Sequence, residues 1–498
     1  MAKTLSKRYS GVLAHPTSFP SPYGIGDFGK GAYDFINFLT GAGQSLWQIL
    51  PLGHTGYGDS PYQAFSAFAG QPLLISPDEL IKDGLLYGDD LRNYPHFNPD
   101  HIYYGDVIPA KLRILHRSYE IFKESADLCM LKEFDVFCEH EKDWLDDYAL
   151  FMAGKDAHGG ACWLEWEDDL RDPDEEIKAA WRERLADSIE YYKYIQFIFF
   201  RQWNAIRDYA HVNGIKIVGD IPIFVALDSA DTWSHPELFQ LSEGCVPKAV
   251  AGVPPDAFSA TGQLWGNPLY DWEYHKKTGY DWWILRIGYS YRLYDIVRVD
   301  HFRGFEAYFS IPYGDETAVN GHWEKGPDFE LFAAMKMKLG KKEMIAEDLG
   351  VITPPVRKMI KKCGYPGMKV LQFAFDSYDS EYLPHNYDKN CIVYTGTHDN
   401  QTTRGWYEEN NRKVQKYIRE YLRVKSGKDV VEAMIATAMS STAGTAVIPM
   451  QDWLGLGREA RMNFPSTLGD NWKWRLTDGQ LTDALAAHMK DVTETYCR

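Results

Sequence analysis

Short apolar segments alternate with longer helical segments over most of this chain, and this alternation most constrains its fold. The short segments are rich in Val, Ile, Leu and Phe, and most of them stop beside a proline, a glycine or an acidic residue. Such segments are typical of strands that are buried on both faces of a parallel sheet. Eight strands are predicted, at residues 45–51, 72–76, 215–221, 294–300, 343–347, 368–375, 391–395 and 446–450. Eight strands that alternate with helices predict an α/β fold of the (β/α)8 TIM-barrel class.

Acidic residues lie at the ends of four of these predicted strands. Asp220 lies near the end of the third strand, Asp300 ends the fourth, Glu347 ends the fifth and Asp399 follows the seventh. In a barrel of this class the active site is built at the carboxyl ends of the strands. We therefore expect these four side chains to meet at one mouth of the barrel.

An arginine accompanies one of these acids on the same predicted strand. Arg298 lies two residues before Asp300, and a strand repeats every two residues, so both side chains point to the same face. A neighbouring guanidinium favours the ionised form of a carboxylate and fixes its direction. An isolated pair of this kind is more often a structural ion pair, so its interpretation as a catalytic pair depends on the other acids.

Two stretches do not follow the alternation of strands and helices. Residues 77–180 have a helical and irregular pattern with acidic patches, and we interpret them as a helical subdomain inserted between strands 2 and 3. Residues 230–290 are interpreted as a second insertion, in which the Pro- and Gly-rich segment 245–267 is expected to be a flap loop without regular structure. The expected organisation is a single catalytic barrel over residues 1–498 with inserted, largely helical subdomains.

Composition excludes several classes of function. The net charge of −17 argues against nucleic acid and against an anionic membrane as partners, because both would repel the protein. No apolar run is long enough to predict a transmembrane helix, and no secretory signal is evident. The seven scattered cysteines contain no C-x-x-C pair, so neither a disulfide framework nor a zinc site is expected. This pattern is typical of a protein in the reducing cytoplasm. No phosphate-binding glycine motif follows a strand, so no nucleotide cofactor is expected.

Three carboxyl groups and the histidine before Asp399 permit two kinds of chemistry at a barrel mouth. They could bind a divalent metal ion, or they could break a glycosidic bond with one acid as nucleophile and another as proton donor. The chain contains 16 Trp, 32 Tyr and 25 Phe, and many of them lie in loop-like segments. Aromatic faces pack against sugar rings. We therefore favour sugar chemistry, without a metal ion or cofactor.

Six motifs spread over nearly the whole chain point to one family. They are Tyr57 to Gln63, Gly219 to Val225, residues 253–267, Val299 to Gly304, Ala346 to Gly350, and Gly396 to Asn400. Together they resemble the amylomaltases, which are the 4-α-glucanotransferases or disproportionating enzymes of the α-amylase clan. The resemblance implies a TIM barrel without a C-terminal β-sandwich domain, and the short tail after the last predicted strand fits this expectation.

The resemblance also implies roles for individual residues. It implies that Asp300 is the nucleophile of a covalent glucosyl-enzyme, Glu347 the general acid and then base, and Asp399 the stabiliser of the transition state. Arg298 would orient the nucleophile and His398 would lie beside Asp399. The substrate contacts that it implies are Arg298, His398, Asp220, Tyr57, Asp59, Ser60, Tyr62, Trp265 and Asn463.

The reaction implied by the resemblance is 4-α-glucanotransfer by a retaining double displacement. A segment of an α-1,4-glucan would move to the 4-hydroxyl of glucose or of a malto-oligosaccharide. The expected partners are malto-oligosaccharides and glucans derived from starch or glycogen, with neither nucleic acid nor membrane.

Three alternatives remain open at the level of sequence. An α-1,4-glucan hydrolase would use the same acids, because the sequence does not prove that water is excluded from the glucosyl-enzyme. A non-catalytic glucan-binding protein would be expected to lack one of the three acids, and all three are present. A metal-dependent barrel enzyme would lose its activity in the presence of chelators.

Overall fold

The protein is built from two β-sheets and a shell of helices, as seen in a computed structural model that describes residues 8–255 and 259–498. The strands are β1 (Tyr9–Leu13), β2 (Leu46–Gln48), β3 (Lys216–Ile221), β4 (Ala249–Val253), β5 (Gln263–Pro268), β6 (Ile296–Val299), β7 (Ala307–Pro312), β8 (His322–Lys325), β9 (Met344–Ala346), β10 (Gly367–Val370), β11 (Cys391–Tyr394) and β12 (Thr445–Pro449). The helices are α1 (Lys30–Gly41), α2 (Pro77–Lys82), α3 (Tyr104–Ser125), α4 (Leu128–Ala157), α5 (Asp168–Arg171), α6 (Glu175–Arg184), α7 (Ala186–Val212), α8 (Ala230–Ser234), α9 (Trp272–Lys277), α10 (Asp281–Leu293), α11 (Phe329–Leu339), α12 (Pro354–Cys363), α13 (Thr403–Glu409), α14 (Arg412–Leu422), α15 (Val430–Ser440), α16 (Met450–Trp453) and α17 (Asp483–Thr495).

The larger sheet is parallel and has eight strands, in the order β10, β11, β12, β1, β2, β3, β6 and β9. Its two outer strands meet, because the N–H of Ala346 in β9 donates a hydrogen bond of 3.0 Å to the carbonyl oxygen of Pro366, directly before β10. Helices connect most of the strands that are consecutive in this order. The predicted (β/α)8 barrel is thereby confirmed.

Seven of the eight predicted strands belong to the barrel, although the one predicted at 368–375 ends at Val370. The prediction at 72–76 is wrong, because Pro72–Leu74 forms a 3₁₀ turn. The Gln71 side chain accepts a hydrogen bond from the Leu73 N–H, and the apolar run is buried without pairing to a strand. Sequence patterns do not separate such a buried turn from a short buried strand.

The missing eighth strand is β1, which pairs with β2 and with β12. Its central residue is Gly11. Because glycine is rare in strands, the sequence analysis did not predict β1. Here the glycine is required by packing. A Cβ atom on Gly11 would lie 2.6 Å from the Cβ atom of Leu46 and 2.7 Å from the Leu46 carbonyl oxygen.

Residues 77–180 lie between β2 and β3 and contain α2, α3, α4, α5 and part of α6. Helix α4 packs along α7, and their contact includes a hydrogen bond of 3.3 Å from Gln196 Nε2 to the Tyr148 hydroxyl. We propose that this stretch is an inserted subdomain whose core is shared with the barrel.

The smaller sheet is antiparallel, in the order β5, β4, β7 and β8. Strand β4 and all but the last residue of β5 lie in segment 245–267, so the expectation that this segment has no regular structure is wrong. The sequence analysis did not predict these strands because they contain glycines, which allow the backbones of neighbouring strands to approach closely. A Cβ atom on Gly252 would lie 2.2 Å from the Gln263 carbonyl oxygen.

The carboxyl-terminal part of the described chain packs against the start of the barrel. Arg498 Nη1 donates to the Tyr9 carbonyl oxygen at 3.1 Å, and Gln44 Nε2 donates to Thr493 Oγ1 at 2.9 Å. Residues 450–498 contain α16 and α17 and no strand. The absence of a C-terminal β-sandwich domain stays a prediction. No helix in the described residues is long and apolar enough to cross a membrane.

The close approach at Gly11 generates a prediction about stability. We expect Gly11→Ala to lower the free energy of unfolding by about 1–3 kcal/mol, because the added methyl group overlaps the backbone of β2. The matched control is Gly41→Ala in α1, where the nearest atom to the added Cβ is Ala486 Cβ at 4.0 Å. This control should be neutral or stabilising by up to about 1 kcal/mol. Urea denaturation of both variants checks the opposite signs, and equal effects would contradict the packing argument.

Candidate active site

A buried arginine at the carboxyl end of β6 joins two of the predicted acids. Arg298 lies beside Asp220 in the register of β6 and β3. Its Nη1 donates to Asp220 Oδ2 at 2.6 Å, and its Nη2 donates to Asp300 Oδ1 at 2.8 Å. The Arg298 side chain is 3% exposed and that of Asp220 is fully buried, whereas that of Asp300 is 31% exposed. The arginine therefore anchors one buried carboxylate and directs a second one toward the mouth.

The two carboxylates keep this arginine charged. Burial alone would lower the pKa of Arg298, but Asp220 and Asp300 outweigh burial and raise its pKa well above the ordinary value. Burial raises the pKa of Asp220, and Arg298 opposes this shift. Asp220 Oδ1 is buried and has no hydrogen-bond partner among the described residues. The described residues therefore leave the hydrogen-bonding capacity of this oxygen unused.

Glu347 follows β9 and lies in a very different environment. Its Oε2 accepts the N–H of His301 at 2.8 Å, and its Oε1 accepts the N–H of Leu349 at 2.7 Å. No arginine or lysine within residues 8–255 and 259–498 forms an ion pair with its side chain. Burial first, and then the charge of Asp300, raise the pKa of Glu347 to about 8, against the opposing charge of Arg298. Glu347 is therefore mostly protonated at neutral pH.

Asp399 and His398 follow β11 and complete the predicted set of acids. Asn463 Nδ2 donates to Asp399 Oδ1 at 2.6 Å, which holds this carboxylate from one side. The Asp399 side chain remains 43% exposed. His398 Nε2 lies 3.4 Å from Asp399 Oδ1, and the N–H of Asn463 donates to the His398 carbonyl oxygen at 3.1 Å. Asp399 is thus positioned by Asn463 and left open to a ligand.

Tyr62 connects these two halves of the site. Its hydroxyl donates to Asp220 Oδ2 at 2.9 Å and lies 3.0 Å from His398 Nε2. The rings of Tyr62 and His398 stack with their centroids 5.4 Å apart. One hydrogen-bonded network therefore extends from Asp300 through Arg298, Asp220 and Tyr62 to His398.

The other predicted contacts lie at the margin of this network. Trp265 in β5 packs edge-on against His301, with ring centroids 4.8 Å apart. Ser60 Oγ accepts the N–H of Tyr62 at 3.3 Å, and Asp59 lies in the same loop without a hydrogen bond to the acids. The side chain of Tyr57 lies outside the described residues.

The structure adds site residues that the sequence analysis did not select. His301 has a left-handed backbone (φ 48°), which turns its N–H toward Glu347. Arg461 Nη2 donates to the Asp399 carbonyl oxygen at 2.7 Å, and the ring of Trp472 lies 6.0 Å from that of Tyr62. The position of His301 next to Asp300 was a usable signal, and Arg461 lies close to Asn463. Nothing in the sequence pattern marked Trp472.

The arrangement brings a carboxylate paired with an arginine and a buried acid with a raised pKa to one barrel mouth. Asp300 is paired with Arg298 and 31% exposed, whereas Glu347 is buried and its pKa is raised to about 8. Two carboxyl groups in different environments can have different pKa values, and such a difference is used to assign the acid and the nucleophile of an active site. Among the described residues, no group of three or more His, Cys, Asp and Glu side chains is arranged to hold a metal ion.

Comparison with known proteins gives matches over almost the entire chain. A sequence model of the 4-alpha-glucanotransferase family matches residues 14–482. The 4-alpha-glucanotransferase of Clostridium butyricum is 48% identical over 489 residues, which are 97% of this chain and 99% of that protein. The 4-alpha-glucanotransferase of Thermus thermophilus is 46% identical over 495 residues, which are 98% of each chain.

A solved structure agrees with these sequence matches. Amylomaltase from Streptococcus agalactiae, in complex with acarbose, has a TM-score of 0.96 and 40% identity to this chain, covering 99% of this chain and 100% of that one. The names of these relatives favour the transferase over the hydrolase that the sequence left open. The family match, the identities and the common fold show that the chain belongs to the 4-alpha-glucanotransferase family of enzymes.

Proposed function

We propose that this enzyme transfers α-1,4-glucan segments between malto-oligosaccharides by a double displacement, with Asp300 as the nucleophile and Glu347 as the acid and base. The observation that carries the proposal is the contrast between the two acids. Asp300 is paired with Arg298 at 2.8 Å, whereas burial and the charge of Asp300 raise the pKa of Glu347 to about 8. A retaining glycosidase needs one carboxylate as the nucleophile and one protonated carboxyl group as the acid.

In the first step, an Asp300 oxygen bonds to the anomeric carbon while the glycosidic bond breaks. Glu347 gives its proton to the departing glycosidic oxygen. Both Glu347 oxygens accept backbone N–H groups in this structure, and the protonated oxygen can keep its contact while its O–H donates to the glycosidic oxygen. In the second step, the Glu347 carboxylate takes the proton of an acceptor 4-hydroxyl, whose oxygen displaces Asp300. Two inversions at the anomeric carbon give retention.

The remaining residues of the site bind and orient the sugar. The exposed Asp399 carboxylate, held by Asn463, faces the position where positive charge develops in an oxocarbenium-like transition state. We assign to Asp220 a contact in which its unpaired Oδ1 accepts a hydrogen bond from a sugar hydroxyl. Because the Asp220 side chain is fully buried, this contact requires a rearrangement at the mouth when the sugar binds.

Contacts further along the glucan are assigned to aromatic and loop residues. Tyr62 and Trp265 offer ring surfaces beside the acids, and Tyr57, Asp59 and Ser60 belong to the adjoining loop. Transfer requires that the glucosyl-enzyme survives until an acceptor arrives. We assign the exclusion of water to this loop and to strand β5, which brings Trp265 against His301.

The proposal extends to the substrate and the location of the enzyme. Starch- or glycogen-derived glucans and glucose as an acceptor are the partners that we infer for this chain. The solved relative in complex with acarbose supports a saccharide as the ligand of this chain. The cytoplasmic location suggested by the cysteine pattern stays a prediction.

Incubation with maltotriose tests the reaction. We expect glucose, maltose and longer chains to form while the number of reducing ends stays constant, because each transfer makes one glycosidic bond for each one it breaks. Asp300→Asn and Glu347→Gln should each lower the rate by at least about a hundredfold. Glu343→Gln, an exposed acid four residues before Glu347, is the matched control and should retain activity. A rising number of reducing ends would identify a hydrolase.

The pH dependence of kcat/KM tests the role of Glu347 as the proton donor. Donation requires the protonated form, so kcat/KM should fall as the pH rises through about 8, the pKa of Glu347 in the unliganded enzyme. The decline should approach tenfold per pH unit on the alkaline side. A constant kcat/KM between pH 7 and pH 10 would contradict the assignment.

The same pKa predicts an effect on stability. Between the unfolded pKa of 4.5 and the folded pKa of about 8, the unfolded state releases the Glu347 proton and the folded state keeps it, so folding loses stability as the pH rises. Glu347→Gln removes this loss but places an amide N–H₂ group against a backbone N–H at every pH. The stability of the variant relative to the wild type should therefore rise from pH 5 to pH 8, by on the order of a few kcal/mol.

Thermal or urea unfolding at several pH values measures this difference. Glu343→Gln serves again as the control, since its exposed carboxyl group should give a difference that changes little with pH. A Glu347→Gln difference that is independent of pH would show that Glu347 does not hold a proton in the folded enzyme.

A further inference from the structure

A cavity of about 350 Å³ lies at the end of the barrel opposite to the acids. The first residues of six barrel strands line it, which are Tyr9, Leu46, Lys216, Ile296, Met344 and Thr445. Parallel strands begin at one end of a barrel, and the acids lie at the other end, where the strands finish. The cavity is therefore separate from the proposed glucan site.

The walls of this cavity are apolar and its rim is cationic. The Phe332 ring on α11 and the buried Met344 and Ile345 of β9 form part of the walls. Five lysines line the rim, which are Lys216, Lys336, Lys341, Lys342 and Lys362. One acid is present in the lining, Glu343, whose Oε2 lies 3.5 Å from Lys216 Nζ. This excess of positive charge contrasts with the net charge of −17 of the whole chain.

Helix ends explain only part of this cluster of lysines. Lys336 and Lys362 lie in the last turns of α11 and α12, where cations interact favourably with the helix dipole. Lys216, Lys341 and Lys342 lie on no helix. Among the described residues, neither Lys336 nor Lys341 has an acidic partner within 4.0 Å, so their charges remain available to an anion.

We propose that this cavity binds a small organic anion with an apolar or aromatic body, independently of the glucan. The volume is within the range of small-molecule sites, roughly 300–1,000 Å³. The apolar walls would bury the body of such a ligand, and the lysine rim would hold its carboxylate, sulfonate or phosphate group. A glucan is uncharged and covered by hydroxyl groups, so it uses neither the apolar walls nor the positive charge.

The probe for this site is 2-naphthalenesulfonate, added to the full-length protein and followed by its fluorescence and by calorimetry. We expect saturable binding of one molecule, with an affinity that falls as the salt concentration rises. Two compounds separate the contributions. Neutral 2-naphthalenesulfonamide lacks the charge and inorganic phosphate lacks the apolar body, and each should bind at least about tenfold more weakly, a difference of about 1.4 kcal/mol.

Variants on one helix provide a matched comparison. Lys336→Glu reverses a charge on the rim of the cavity and should weaken binding of the probe by about tenfold or more. Lys338→Glu makes the same change two residues away on α11, at an exposed position outside the lining, and should change the affinity less than about twofold. The variant K341E/K342E tests the part of the rim that no helix end explains and should also weaken binding. Circular dichroism and maltotriose turnover verify that each variant is folded.

Three results would overturn the proposal. They are the absence of saturable binding at millimolar probe, an equal loss of affinity in Lys336→Glu and Lys338→Glu, and displacement of the probe by saturating maltotetraose, which would place it in the glucan site. These results are independent of the assignments of Asp300 and Glu347, so a failure here leaves the proposed reaction untouched.

Discussion

The buried ion pairs of Arg298 are the interaction on which the rest of the site depends. A guanidinium that is 3% exposed is costly to desolvate, and only its two carboxylate partners make this burial tolerable. The pairing of β3 with β6 places Arg298 beside Asp220. The guanidinium then bonds to Asp220 with one nitrogen and to Asp300 with another, which fixes the relative position of the two acids. A lysine presents a single ammonium group and cannot reproduce this bidentate bridge.

The barrel gives two acids on adjacent strands opposite properties through their surroundings. Asp300, which follows β6, forms an ion pair with Arg298, whereas Glu347, which follows β9, is buried and accepts hydrogen bonds from two backbone N–H groups. The left-handed backbone of His301 supplies one of these N–H groups, so the residue after the nucleophile also shapes the environment of the proton donor. The two proposed roles are coupled, since the charge of Asp300 helps to raise the pKa of Glu347.

The sequence predicted the barrel and the four strand-end acids because both depend on local patterns, namely apolar runs and the residues that end them. It failed where tertiary contacts decide the structure. Strand β1 was missed because Gly11 is required by its contact with Leu46, and the strands around Gly252 were missed for the same kind of reason. Residues 72–76 have the composition of a buried strand but form a buried turn. Trp472 reaches the site from a distant loop, which no local pattern indicates.

The place of β1 in the barrel has a consequence for synthesis of the protein. Among the described residues β1 is the first strand in chain order and β12 is the last, and the two pair in the barrel. One edge of β1 therefore stays unpaired until the ribosome has made β12. Until then the nascent chain carries unpaired edges at β1 and at β11, and open strand edges recruit other chains. The barrel can therefore close only after β12 has been made, and the emerging chain depends on protection of those edges during elongation.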